Sequence, residues 1–435
     1  MMSLLRGKIP SHIVVAASAW ISRIVAAFVQ LLSVRILIDG LGVEQYAIFS
    51  VLIGLMGWFM LSDIGIGTSL QNFISERQAE QKNYGDFISA AAICAIGILI
   101  LTIPLLYILS VMIGPILLQT FNIITEHEKI TLFFIVGVLG IITCIGNIVY
   151  KIWYAKHKGY LSNILPALAS IMSLILVWVA SKSNVNTKLL LSIVAYLLPA
   201  GLISVISFAY EYMRAKSGFD VHITKKIFSR AYRFWFFSVM ASVVLQIDYI
   251  IISQYLRPDD IVIYNITTKI YSFIAFIYGA VLLALWPKFT EMIYQSNWVG
   301  VIGYLRRNIL LGIIFIILST LILSNFIQVL VKLLAPGQEI FISTSLVVLM
   351  GLYHIIRVWT DSFSMVLQSM SLMRPFWILV PVQALFSVVF QIIFVSIYGL
   401  NGIVVGLILS YVLTVVWALP QVVFKLAKKR EGITE

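Results

Sequence analysis

Apolar runs of membrane-spanning length follow one another along almost the whole chain and constrain its fold most strongly. A transmembrane helix needs about 20 mainly apolar residues, and twelve runs meet that requirement. They predict helices near residues 12–38, 45–68, 87–110, 130–152, 161–181, 188–210, 232–255, 261–286, 308–331, 341–369, 376–398 and 401–424. Charged residues make up only 11% of the chain, against about 25% in soluble domains. We therefore predict an all-α polytopic membrane protein.

Lysine and arginine residues concentrate on one side of the predicted helices. Of the 30 basic residues, 21 lie at the two termini and in alternate loops, and 5 lie in the remaining loops. Because basic loops tend to stay in the cytoplasm, both termini are predicted to be cytoplasmic. This orientation explains the net charge of +12, and no nucleic-acid partner is predicted.

The chain contains an internal repeat with an offset of 215 residues. The offset aligns Leu41 with Leu256, Ile48 with Ile263, Leu70 with Leu285, Glu76 with Glu291 and Gly85 with Gly300, without a gap. Six spans separate the copies, and this even number gives both copies the same orientation in the membrane. We predict two six-helix lobes, 1–210 and 232–435, related by a pseudo-twofold axis along the membrane normal. A basic cytoplasmic linker, 211–231, would join them.

The stretch 58–77, WFMLSDIGIGTSLQNFISER, ends the second predicted span. Asp63 lies inside the apolar run, two glycines follow it, and charged residues close the stretch. An ionisable group at membrane depth usually serves function or pairs with another charge, and glycines let a helix or a ligand approach the backbone closely. Asp63 is predicted to cap a turn of the chain before the glycines, or to pair with Arg23 or with a cytoplasmic lysine.

Three short motifs connect the chain to a known family. They are Leu41-Gly42-Val43-Glu44-Gln45-Tyr46, Asp63-Ile64-Gly65-Ile66-Gly67 and Asn72-Phe73-Ile74-Ser75-Glu76. Together with the span count and the repeat, they resemble the polysaccharide-transport branch of the MOP superfamily, and within it the Wzx-type O-antigen flippases. That family often carries a basic residue near the position of Asn72, which this chain lacks.

The resemblance implies a function and a location. It implies a transporter that moves an undecaprenyl-pyrophosphate-linked oligosaccharide from the inner to the outer leaflet of the bacterial inner membrane. Transport would proceed by alternating access through a central cavity. The implied partners are the lipid-linked oligosaccharide and membrane lipids, with the O-antigen polymerase and the chain-length regulator as further candidates.

Charged residues inside the predicted spans are the candidate site. A pyrophosphate head group needs a hydrated, cationic path, because an unpaired charge in hydrocarbon costs several kcal/mol. Arginine binds phosphate through a bidentate fork and lysine acts as a point charge. The candidate substrate-binding residues are Arg23, Lys269, Arg357, Asp63, Asp248 and Asp361. The alternative is a structural ion pair, in particular Lys269 with Asp248 and Arg357 with Asp361.

The span 341–369 carries the strongest polar stripe. His354, Arg357, Asp361, Ser364 and Gln368 share one face when the segment is helical. His354 and Asp361 are the candidates for coupling transport to H+ or Na+, since histidine titrates near neutral pH. The alternative for His354 is a hydrogen-bonded packing residue. No cofactor is predicted.

Other function classes fit the sequence less well. No Walker motif, nucleophile triad or metal-ligand cluster occurs in the sequence, so we predict neither ATP-driven transport nor an enzyme. A MATE-like antiporter of organic cations would need a net acidic cavity. With Lys151, Lys188 and Arg233 at the span ends counted among the loop residues, the spans hold four basic residues, Arg23, Arg35, Lys269 and Arg357, against the acidic Asp63, Asp248 and Asp361. A membrane glycosyltransferase or polymerase would need a sizeable external loop, and the predicted external loops are short.

Overall fold

The computed structural model describes residues 11–185, 187–215, 218, 220–370 and 372–430. These residues form helices joined by short turns, and no strand occurs among them. The predicted fold class, an all-α polytopic membrane protein, is confirmed. The chain divides into two compact units, Met1–Val239 and Met240–Glu435.

The first unit contains helices α1 to α8 and the beginning of α9. These are α1 Ser11–Gly54, α2 Met56–Phe59, α3 Ile66–Ala79, α4 Gly85–Leu117, α5 Glu126–Gly146, α6 Ile148–Ala155, α7 Gly159–Ser181, α8 Lys188–Ala215 and α9 Val221–Tyr255. Helix α1 packs on α7, and α5 packs on α4 and α8. The last turn of α5 lies close to α8, where a Cβ on Gly146 would overlap the side chain of Ser204.

The second unit contains the rest of α9 and helices α10 to α15. These are α10 Pro258–Tyr294, α11 Trp298–Leu334, α12 Thr344–Ser369, α13 Arg374–Tyr398, α14 Leu400–Leu413 and α15 Val415–Arg430. Helix α12 packs against α10, α11, α14 and α15, so neighbours hold it on several sides. The contact with α11 is close, since a Cβ on Gly351 would overlap the Thr320 side chain.

The number of membrane crossings agrees with the prediction. Among the described residues, 11 helical segments are long and apolar enough to span a membrane. The first, Ala17–Phe59, has 43 residues and would be about 65 Å long as a straight helix, roughly twice the hydrocarbon thickness. Its helix breaks at Gly42, which has φ 78°, so this segment supplies two of the twelve predicted spans.

The two copies of the repeat differ in one helix. Helix α10 runs from Pro258 to Tyr294 without interruption, whereas residues 43–79, which lie 215 positions earlier, contain the second arm of α1, then α2 and α3. The chain leaves the helix at residues 60–65, where Ile64 has φ 49° and Gly65 has φ 79°. The predicted span 45–68 was therefore wrong as one continuous helix, because the Asp63-Ile64-Gly65 sequence forms a turn inside it.

The predicted linker 211–231 is helical at both ends. Helix α8 continues to Ala215 and α9 begins at Val221, while Lys216, Ser217 and Phe219 lie outside the described residues. The first unit extends to Val239, within α9. The lobe boundaries and their pseudo-twofold relation stay predictions, as does the orientation of the termini, whose outermost residues also lie outside the described part.

Candidate functional site

Helix α12 presents the predicted polar stripe as one partly exposed face. His354, Arg357, Asp361, Ser364 and Gln368 are all half-exposed, whereas Phe363 and Val366 on other faces are buried. The helix starts at Ser343, whose hydroxyl oxygen accepts the Leu346 N–H at 3.3 Å. Charged side chains in a span face protein or water rather than lipid, so this face is the best candidate site in the second unit.

Arg357 and Asp361 form an ion pair on this face. Nε of Arg357 donates to Oδ2 and Oδ1 of Asp361 at 3.1 and 3.3 Å, and Nη2 lies 3.1 Å from Oδ2. The four-residue spacing brings the two side chains together on one helix. The Tyr353 hydroxyl, one turn earlier, accepts from Nη1 at 3.3 Å. The pairing that the sequence left open is therefore present, and both charged side chains remain accessible, at 32% and 41% exposure.

His354 is held by neighbouring aromatic rings and by its own helix. Its ring stacks on Tyr271 of α10, with centroids 5.0 Å apart, and meets the edge of Tyr353 at 5.1 Å. Its Nδ1 lies 2.8 Å from the Met350 carbonyl oxygen. Because a carbonyl only accepts, this contact places the proton of the neutral ring on Nδ1. The geometry is that of a packing histidine, and its coupling role stays a prediction.

Asp248 lies on α9 and is only 7% exposed. The hydroxyl of Tyr264, on α10, donates to Oδ2, and the backbone N–H of Tyr249 donates to Oδ1 at 2.9 Å. A second hydrogen bond joins the same two helices, since Asn265 Nδ2 donates to the Tyr249 hydroxyl at 2.8 Å. Its two residues are 16 positions apart, as Asp248 and Tyr264 are. Sequence reasoning missed Tyr264 as the partner of this carboxylate.

Lys269 lies on α10, five residues after Tyr264, and is half-exposed. The two contacts across the α9–α10 hairpin each join residues 16 positions apart, whereas Lys269 is 21 positions from Asp248. In an antiparallel helix pair this difference places Lys269 further from the hairpin turn than the residues opposite Asp248. The pairing of Lys269 with Asp248 stays a prediction.

Asp63 caps the turn that interrupts the second span. Its Oδ1 accepts the Gly65 N–H at 2.9 Å and its Oδ2 accepts the Gly67 N–H at 3.1 Å. Asp63 lies four residues after Phe59, at which the apolar helical segment Ala17–Phe59 ends. Burial raises the pKa of the Asp63 carboxyl, and the two glycine N–H groups and the charge of Lys151 oppose that rise. Asp63 therefore caps this turn, which is one of the roles predicted for it from the sequence.

The first turns of α9 dock on this interrupted segment. The Trp235 indole N–H donates to the Leu61 carbonyl at 3.0 Å, and the Ser69 hydroxyl donates to the Ile227 carbonyl at 3.0 Å. Arg230 forms an ion pair with Glu76 at 2.8 Å. The glycine motif thus serves the close approach of another helix, which is one of the two uses that the sequence suggested.

Arg23 is exposed on the first arm of α1. The residue before it, Ser22, donates its hydroxyl proton to the Asn163 carbonyl at 2.6 Å. The side chain of Asn163 also binds this arm, since its Nδ2 donates to the Ser18 hydroxyl at 3.0 Å and to the Val15 carbonyl at 3.2 Å. Asn163 therefore fixes the helix that carries Arg23, and sequence reasoning missed it because one asparagine in an apolar run carries no spacing signal.

The predicted site residues fall into separate groups. Arg357, Asp361 and His354 share α12, while Asp248 and Lys269 lie on α9 and α10 of the same unit. Arg23 and Asp63 belong to the other unit. Across the described part of the chain, no group of three or more His, Cys, Asp or Glu residues is arranged to hold a metal ion.

Comparison with known sequences gives close relatives along almost the whole chain. No family model matches. A protein of Yersinia pseudotuberculosis, provisionally named an O-antigen export protein, is 39% identical over 418 residues, covering 95% of this chain and 96% of the relative. A protein of Salmonella typhi, provisionally named an O-antigen transporter, is 39% identical over 416 residues, again covering 95% and 96%.

Solved structures share the fold at low identity. An inward-facing multidrug resistance MATE family transporter of the MOP superfamily has a TM-score of 0.73 at 14% identity, covering 93% of this chain and 96% of that one. The lipid II flippase MurJ in an inward closed conformation has a TM-score of 0.73 at 16% identity, covering 94% and 87%. These likenesses identify the architecture of the chain.

Proposed function

The chain belongs to the family of O-antigen transporters within the MOP superfamily, and we propose that it is a flippase for a lipid-linked oligosaccharide. The cargo is an O-antigen or similar repeat unit on undecaprenyl pyrophosphate. The protein carries it from the cytoplasmic to the periplasmic leaflet of the bacterial inner membrane by alternating access.

One observation carries the proposal. Relatives named for O-antigen export match 95% of the chain at 39% identity, with 96% of their own length covered. The similarity is therefore not confined to a shared helix or motif, and both units of the chain take part in it. The same chain places charged side chains in its spans, as translocation of a charged head group requires.

The cationic residues Arg23, Lys269 and Arg357 are proposed to bind the anionic part of the cargo. None of the three is buried, which supports access from water or from the cargo. The carboxylate of Asp361 partly neutralises the positive charge of Arg357 through their ion pair. Asp248 and Asp63 accept hydrogen bonds from their own surroundings, so their proposed contribution to cargo binding is indirect.

Transport is proposed to be coupled to the movement of H+ or Na+. Asp361 is better placed than His354 for this role, because its carboxylate is 41% exposed. His354 stacks on Tyr271 and its Nδ1 is engaged by the Met350 carbonyl. Both termini are proposed to lie in the cytoplasm, and the O-antigen polymerase and the chain-length regulator are proposed as neighbours in the membrane.

Deletion of the gene in its native host tests the function. We expect surface polysaccharide to be lost and completed repeat units on undecaprenyl pyrophosphate to accumulate at the cytoplasmic face, and a plasmid copy to restore both. Unchanged surface polymer together with increased sensitivity to cationic dyes would show that the protein is an antiporter of organic cations and not a flippase. Single repeat units that reach the surface without being polymerised would reopen the enzyme interpretation.

A further inference from the structure

The first turns of α9 extend beyond the hydrocarbon layer of a membrane. Helix α9, Val221–Tyr255, has 35 residues and is about 52 Å long, whereas the hydrocarbon core is about 30 Å thick. A tilt of about 20° adds only about 2 Å to the path through the core, so about 13 residues remain outside it. All basic residues of α9 precede residue 234, and Asp248 is its only charged residue after that point. The protruding end is therefore the first one, at the level of the lipid head groups.

This protruding segment has one docked face and one exposed face. Ile223, Ile227 and Ala231, spaced four residues apart, are all buried. The docked face meets α3, where the Ser69 hydroxyl donates to the Ile227 carbonyl at 3.0 Å. This contact fixes the rotation of the helix, so the opposite face stays accessible. We call it the outer face of α9, and it carries His222, Lys225, Lys226, Ser229, Tyr232 and Phe236, all exposed.

Two lysines give the outer face its positive charge. Lys225 and Lys226 take part in none of the ion pairs between described residues. Arg230, one turn later, is paired with Glu76 at 2.8 Å. Asp220, the acidic residue closest along the chain, accepts a backbone N–H of α9 at 2.7 Å. The charge of the two lysines is therefore available to an anion from outside the protein.

The side chains of the outer face change in character along the helix. The lysines are followed by the hydroxyl of Ser229 and then by the rings of Tyr232 and Phe236, which are 54% and 44% exposed. The helix rises by about 16 Å from Lys225 to Phe236. A glycerophospholipid has the same order of groups, with an anionic phosphate, then ester-linked glycerol, then acyl chains. Basic segments beside a membrane attract anionic lipids, and tyrosine favours the interface.

We propose that the outer face of α9 binds an anionic phospholipid of the bilayer. Its phosphate lies at Lys225 and Lys226, and its acyl chains lie along Tyr232 and Phe236. The surface requires only a negative charge above an acyl chain, and the bilayer supplies such lipids continuously. The bound lipid holds the first turns of α9 at the membrane surface. The inference goes beyond the flippase function and does not depend on it, since it concerns no group of the cargo.

Native mass spectrometry of the full-length protein in detergent, titrated with phosphatidylglycerol or with phosphatidylcholine, tests the proposal. We expect the wild type to bind phosphatidylglycerol about 25-fold more tightly. Lys225→Gln/Lys226→Gln should abolish this preference, because each lysine contributes about fivefold, equivalent to about 1 kcal/mol. The matched control is Lys182→Gln/Lys188→Gln, which makes the same change of charge at residues that are not buried between α7 and α8. It should keep the preference.

One further variant examines the acyl side of the surface. Tyr232→Ala removes an exposed ring and leaves both lysines in place, so it should weaken the binding of both lipids by about threefold. The ratio between the two lipids should stay at its wild-type value, because the ring contacts the chains whatever the head group. Where the double lysine variant folds poorly, Lys225→Gln and Lys226→Gln are measured singly, and each should lose about fivefold.

The proposal is overturned if the wild type binds the two lipids within twofold of each other. It is also overturned if the two double lysine variants lose the preference equally, since the effect would then follow net charge and not this surface. Displacement of phosphatidylglycerol by an equal concentration of farnesyl pyrophosphate would assign the surface to the lipid part of the cargo, and the proposal would fall.

Discussion

Gly65 lies directly against the backbone of Ala231, so that a Cβ atom on Gly65 would overlap the Ala231 carbonyl oxygen. Gly65 also has φ 79°, a conformation that costs other residues about 1–2 kcal/mol. The overlapping atom belongs to the backbone of α9, and no side-chain rotation can move it away. Glycine is therefore required here twice, for its conformation and for its size.

Gly65→Ala should lower the free energy of unfolding of the first unit by about 2–4 kcal/mol, from strain and overpacking together. The measurement is the melting temperature of the purified protein in detergent. Gly97→Ala is the matched control, because Gly97 lies within α4 with no atom near the position of a Cβ. Alanine favours a helix over glycine by about 1 kcal/mol, so the control should melt at or above the wild-type temperature. Equal melting of the two variants would contradict the packing argument.

The sequence predicts those parts of the structure that depend on local spacing. The pair Arg357–Asp361 lies within one helix, so the four-residue spacing was sufficient to propose it. The lengths of the apolar runs likewise predict helices, because the cost of an unsatisfied backbone in a bilayer leaves little alternative. A turn before the glycines was one of the uses predicted for Asp63, but its interruption of the helix at residues 60–65 was not predicted, since hydropathy does not encode it. Asp63 and the glycines marked its position without giving its geometry.

Contacts between different helices could not be predicted from the sequence as contacts within one helix could. Asp248 accepts a hydrogen bond from Tyr264, and this partner depends on the register of the α9–α10 hairpin. That register is set by the turn after Tyr255, where α10 begins at Pro258. A shift of one helical turn would bring a different side chain opposite Asp248, and the sequence pattern tolerates both arrangements.

Asp63→Ala should destabilise the protein by about 1–2 kcal/mol, because two glycine N–H groups lose their acceptor. Asp63→Asn keeps one acceptor oxygen and should have about half of this effect. Melting temperature and surface polysaccharide in a complemented deletion strain are measured for both variants, and the two readouts should fall together. Loss of transport in Asp63→Asn at an unchanged melting temperature would instead assign Asp63 to the cargo or to a coupling ion.

Tyr264→Phe should cost about 1–3 kcal/mol, since it leaves a buried carboxylate oxygen of Asp248 without its donor. Tyr255→Phe is the matched control, because Tyr255 is 51% exposed, and it should melt like the wild type. The double variant Asp248→Ala/Tyr264→Phe should be less destabilised than the sum of the single variants, by about 0.5–3 kcal/mol. Additive effects would show that the two side chains do not stabilise each other.

Replacing Arg23, Lys269 or Arg357 by alanine should impair transport without preventing membrane insertion. Each substitution removes a cation that is not buried, so folding loses little while an anionic head group loses a partner. Each variant is expressed in the deletion strain, its level in the membrane fraction is measured, and surface polysaccharide is compared with that of Arg35→Ala, an exposed arginine with no proposed contact to cargo. We expect at least a tenfold loss for Arg357→Ala, since a charge-assisted pair of hydrogen bonds contributes about 1.5–3 kcal/mol. Full activity of all three variants at normal membrane levels would show that the cargo crosses the membrane without these cations.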